Sequence, residues 1–103
     1  MDTGEALLLE FLTTKEDHLE EGKQLLMRTI ELTEQMPGVR RAWLIQDQDK
    51  CCEMALGVVV DAGRARTMLQ EIRETQWFKD LMPALLSALI PESIRRVNGT
   101  YLR

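Results

Sequence analysis

Hydrophobic residues recur along this chain in two rhythms, one of period two and one near 3.6. In residues 5–13 (EALLLEFLT), Leu7, Leu9 and Phe11 fall on one side, with Leu8, Glu10 and Leu12 on the other. That alternation predicts a strand with one well-buried face, although Ala, Leu and Glu also suit a helix. Residues 13–17 read as a loop and helix start, with Thr14 or Asp17 as N-cap. Residues 18–36 then take up the helical rhythm. Leu19, Leu26 and Ile30 lie near one line, Leu25, Leu32 and Met36 form a second row, and glutamates decorate the rest. Pro37-Gly38 ends this helix, since proline cannot continue the ladder and glycine suits the turn.

Residues 39–46 (VRRAWLIQ) return to period two, and the polar Asp47-Gln48-Asp49-Lys50 has the length of a hairpin turn. The partner strand is expected over residues 51–60, whose near-continuous apolar character marks it as central. Asp61 is expected to cap a second helix bearing Ala65, Met68, Leu69 and Ile72 as a narrow stripe. Residues 77–90 repeat apolar pairs at a step of four, with Pro83 placed near a first turn capped by Asp80. After Pro91, residues 94–97 or a little beyond form a short strand candidate, and Asn98-Gly99 suits a tight turn into residues 100–102. The order β-α-β-β-α-(α)-β predicts an α+β fold: a ferredoxin-like, split β-α-β sheet with helices on one face. One domain spans residues 1–103.

The stretch Pro37-Gly38-Val39-Arg40-Arg41-Ala42-Trp43-Leu44, with Ala55-Leu56-Gly57-Val58-Val59-Val60-Asp61 after the hairpin, resembles the C-terminal domain of the bacterial SseB (enhanced serine sensitivity) proteins. The resemblance covers roughly residues 6–75. It implies a cytoplasmic protein linked by name to serine sensitivity, and it brings no catalytic residues with it.

Composition narrows the chemistry. The chain has 103 residues, 45% apolar and 29% charged, with a net charge of −4. This is ordinary globular composition, and the mild acidity argues against a nucleic-acid binder. Residues 1–35 carry a net −6 and the remainder +2, a division read here as a solvated acidic helix. No stretch is long enough to span a bilayer and no targeting segment is visible, so the expected compartment is the cytoplasm. His18 is the single histidine, and with the adjacent Cys51 and Cys52 it offers too few ligands for a structural zinc site. No glycine-rich phosphate loop occurs. Phe11 and Trp43 are read as core residues, and Arg40, Arg41, Arg95 and Arg96 as charged strand edges.

The apolar excess late in the chain is the feature left over. Trp77, Phe78, Leu81, Met82, Leu85, Leu86, Leu89 and Ile90 exceed what one helical face of a small domain readily hides. The expectation is therefore a non-enzymatic interaction module without a cofactor, docking to a protein partner or to itself as a homodimer through this stripe. The competing expectation is a small thiol-dependent enzyme or sulfur acceptor using Cys51 or Cys52, one of them activated beside Lys50.

Overall fold

Alternation of apolar side chains sets up four strands that hydrogen-bond edge to edge in a computed structural model, which describes residues 4–100. Strand β1 covers Glu5–Thr13, β2 Val39–Gln46, β3 Glu53–Asp61 and β4 Arg95–Thr100. They pair antiparallel in the order β2-β3-β1-β4. Helix α1 (Leu19–Glu34) joins β1 to β2, while α2 (Met68–Glu74) and α3 (Gln76–Ala88) join β3 to β4. This is the ferredoxin-like α+β arrangement that the sequence predicts, with the helices on one face of the sheet.

Because side chains alternate, the register decides which residues meet the helices. Ala6, Leu8, Glu10 and Leu12 of β1 share a face with Met54, Leu56, Val58 and Val60 of β3, and that face is covered. Its packing divides in two. One cluster gathers Leu12, Leu26, Met54, Leu56, Leu85 and Leu89; the other gathers Ala6, Leu8, Val60, Met68 and Ile72.

Several boundaries differ from the sequence reading, each for a local reason. Helix α1 is entered through a 3₁₀ turn at Glu16–His18, and neither Thr14 nor Asp17 caps it. Thr14 is instead buried and bridges to Leu89, while Asp17 accepts from the His18 ring at 2.9 Å. Asp61 does not cap a helix either. It accepts from Arg40 Nε at 2.7 Å, and a 3₁₀ turn at Ala62–Arg64 separates β3 from a shortened α2. Helix α3 begins at Gln76, earlier than Asp80, because the Thr75 hydroxyl accepts the Phe78 N–H at 3.2 Å; Pro83 therefore sits mid-helix. Cys51 and Cys52 belong to the turn, since β3 starts at Glu53. Asn98-Gly99 makes no turn, because both residues pair with β1 opposite Leu8 and Leu7. Tyr101 and Leu102 lie outside the described residues. As expected, Gly38 ends the α1 connection, with a φ of +86° that favours glycine.

The opposite face of the sheet carries no helix among the described residues. Phe11 and Trp43, expected in the core, both stand on it. Arg95 lies 5.4 Å from the Phe11 ring centroid, and Trp43 lies directly over Gly57.

Candidate active site

Between the two core clusters the helical layer does not close, which leaves a cavity of about 240 Å³. Leu8, Leu12, Leu56 and Val58 form its floor on the sheet. Leu26, Thr29, Ile30 and Thr33 of α1 form one wall, while Leu69 and Ile72 of α2 and Phe78, Met82, Leu85 and Leu86 of α3 form the other. Only a few polar groups reach this space. The Thr29 hydroxyl is occupied by donating to the Leu25 carbonyl at 2.9 Å.

The cause of the opening is legible in the strands. Glu10 interrupts the covered face of β1 between Leu8 and Leu12, and its cross-strand neighbour on β4 is Arg96. A carboxylate and a guanidinium carry a large desolvation cost, so the helices cannot seal over them. The pair stays half-exposed at the cavity mouth, with Arg96 Nε and Nη2 donating to Glu10 Oε2 at 3.1 and 2.7 Å. Arg73 of α2 stands at the same mouth and makes no ion pair or hydrogen bond among the described residues. Glu10 is the only carboxylate among the described residues that lines the cavity. The arrangement can enclose an apolar ring system, present one base to its edge, and hold negative charge against two guanidiniums.

The apolar stripe of residues 77–90 is turned largely inward. Leu85 and Leu89 are buried in the first cluster, with Leu81 packed against it, and Trp77 and Phe78 pack against the second. Met82 and Leu86 line the cavity, Leu86 from its mouth, and Ile90 is exposed. Cys51 is exposed and Cys52 half-buried in the hairpin turn, and neither lines the cavity. No group of three or more His, Cys, Asp and Glu side chains converges as a metal site among the described residues. Glu10 and Arg96 are 86 positions apart, so only the strand register brings them together. The available signal was a lone acid on an otherwise apolar side of a predicted strand.

The fold places the chain beside a class of small α+β proteins described as oxygenases. A Nitrosomonas europaea protein described as an antibiotic biosynthesis monooxygenase matches with a TM-score of 0.84, covering 99% of this chain and 94% of its own at 17% identity. SnoaB, a cofactor-independent oxygenase from Streptomyces nogalater, matches with a TM-score of 0.79 over 98% of this chain and 96% of its own, also at 17% identity. A Fusobacterium nucleatum protein described as a monooxygenase covers this chain fully, with a TM-score of 0.81 at 15% identity, but over only 45% of its own length. No protein-family model matches the chain, and no curated protein does.

These neighbours overturn the SseB resemblance, which rested on apolar strand patterns common to many split β-α-β sheets. They equally overturn the expectation of a non-enzymatic interaction module, because several proteins that share this fold are described as oxygenases. No helix among the described residues is long and apolar enough to cross a membrane.

Proposed function

We infer that the protein is a cofactor-independent oxygenase acting on a small, largely apolar ring compound that carries an acidic C–H group. The cavity carries this reading: apolar walls, one carboxylate and two guanidiniums at the mouth, in a fold shared with a cofactor-independent oxygenase. Its volume lies just below the roughly 300–1,000 Å³ of common ligand pockets, which suits two or three fused rings.

Without a cofactor the electrons for dioxygen come from the substrate. Overall, a ring methylene and one molecule of dioxygen become a ring carbonyl and one molecule of water. Both methylene C–H bonds break, one oxygen atom stays on the carbon, and the other leaves as water with the two hydrogens. The protein must then accept a proton, hold the resulting anion and keep water from it. Glu10 is the proton acceptor, at the edge of the bound ring. Arg96 and Arg73 stabilise the oxyanion over which the charge delocalises, in a setting where apolar walls strengthen the attraction. Leucine and isoleucine side chains shield the reactive carbanion from solvent. The reducing cytoplasm is the compartment this reading favours, where the free thiols Cys51 and Cys52 would persist.

Anthrone is a suitable probe, because its ring methylene is acidic and its oxidation product is a quinone. With the protein in an oxygen electrode, uptake should exceed the buffer rate and match quinone formation one to one. Glu10→Gln should lower kcat by about a hundredfold or more with little change in KM, because both guanidiniums remain. Its melting temperature should barely move, as a half-exposed cross-strand pair contributes no more than about 1 kcal/mol. A Glu10→Gln protein that oxidises the probe at the wild-type rate would remove Glu10 from the reaction. No protein-dependent uptake with anthrone or related acidic ring compounds would end the oxygenase reading.

A further inference from the structure

Resting on the reading of the cavity as the substrate site, we propose that Thr33 is a specificity-determining residue whose hydroxyl binds an oxygen at the inner end of the substrate. The substrate is then a fused-ring compound with a phenolic hydroxyl or ring carbonyl at the end remote from the guanidiniums. Two threonines one turn apart on α1, Thr29 and Thr33, line the cavity. Among the described residues they are its only polar lining away from the charged mouth. They differ in one respect. The Thr29 hydroxyl donates to the Leu25 carbonyl, the usual outlet for a threonine inside a helix. The Thr33 hydroxyl makes no such bond to the Thr29 carbonyl and has no other partner among the described residues. Thr33 is nevertheless only 3% exposed, so the outer surface does not supply one.

Two buried side-chain polar atoms among the described residues are both unpartnered and shut in, Thr14 Oγ1 and Arg64 Nε. Thr33 Oγ1 is not one of them, so it opens on the space that its residue lines. A buried hydroxyl with no partner costs stability, whereas valine would line the same wall with nearly the same shape and no such cost. The hydroxyl is therefore matched to a group that enters the cavity. Its place in the fold sets which end of the ligand it meets. The next residue, Glu34, accepts the Ala42 N–H of β2 at 3.4 Å, which holds this end of α1 over the β2 side of the sheet. Glu10 and Arg96 stand on β1 and β4, two and three strands away in the order β2-β3-β1-β4. A ring system spanning the cavity thus has its charged edge at Glu10 and Arg96 and its far edge at Thr33. A hydroxyl both donates and accepts, so it serves a phenol or a ketone alike.

Binding without turnover tests this separately from the oxygen chemistry, with 2-naphthoate and 6-hydroxy-2-naphthoate as probes in titration calorimetry. The carboxylate of each stands in for the oxyanion at the guanidiniums, and only the second probe carries an oxygen at its far end. The wild-type protein should bind the hydroxylated probe about tenfold more tightly. Thr33→Val should abolish that preference by weakening the hydroxylated probe alone, and Thr33→Ser should keep it. The melting temperature of Thr33→Val should not fall, whereas loss of a hydroxyl bonded within the fold would lower it. Equal binding of the two probes by the wild-type protein, or a preference that survives Thr33→Val, would overturn the role of Thr33 and leave the anthrone experiment untouched. Binding of neither probe would overturn it together with the cavity as a ring site. A preference lost in Thr33→Val, beside no oxidation of anthrone, would keep Thr33 in its role and end only the oxygenase reading.

Discussion

Single residues carry much of the structure's character. Gly57 gives Trp43 its place, since a Cβ there would lie 1.9 Å from Trp43 Cζ2. Gly57→Ala should therefore displace the indole and destabilise the fold by about 1–3 kcal/mol, read as a lower midpoint in urea unfolding. Asp47 organises the hairpin by accepting the Asp49 and Lys50 N–H groups at 2.8 and 2.9 Å. The Lys50 and Asp49 amides hold its carboxyl below the ordinary value of 3.8. With the folded value depressed, the contribution is complete above about pH 4 and fades as pH falls through the folded value. Asp47→Ala should remove that component of acid sensitivity, and unfolding curves collected down to about pH 2 would reveal the difference. At the cavity mouth, Glu10 shows what a one-dimensional reading sees and misses. Its place between Leu8 and Leu12 was legible, but its partner Arg96 was not, because pairing is fixed by register across the whole sheet.

Elements were more legible than their ends. Strands β1 and β2 and the long helix followed from periodicity, because burial on one face imposes that rhythm, whereas β3 was legible as a near-continuous apolar run and β4 only as a short candidate. Starts and stops followed from local hydrogen bonds that periodicity does not encode: Thr75 to Phe78, Asp61 to Arg40, and the pairing that keeps Asn98-Gly99 extended. Helix α3 shows the consequence most clearly. Its apolar stripe is wide because it meets α1, α2 and the sheet while also walling a cavity, so richness in leucine marked an interior position. Pro83 interrupts this helix at an exposed mid-helix position, where its missing N–H leaves one rung of the ladder unmade. Pro83→Ala should raise stability by about 1–3 kcal/mol, read as a higher melting temperature.

At the scale of the molecule, the two faces of one sheet have different surroundings. The covered face supports two core clusters with a cavity between them, and the opposite face, bearing Phe11, Trp43 and Ile45, carries no helix among the described residues. The sequence showed strands that are apolar on both sides but could not say what each side meets, since that depends on where the helices pack. Charge has the same character: the overall −4 says little, whereas one acid and two guanidiniums gather at a single opening. The most direct measurement of the oxygenase account is isotopic. Anthrone turned over under ¹⁸O₂ should give quinone with one labelled oxygen, with the second oxygen recovered as labelled water, at a rate that falls with Glu10→Gln. Unlabelled quinone, or labelled quinone formed no faster than in buffer alone, would contradict it.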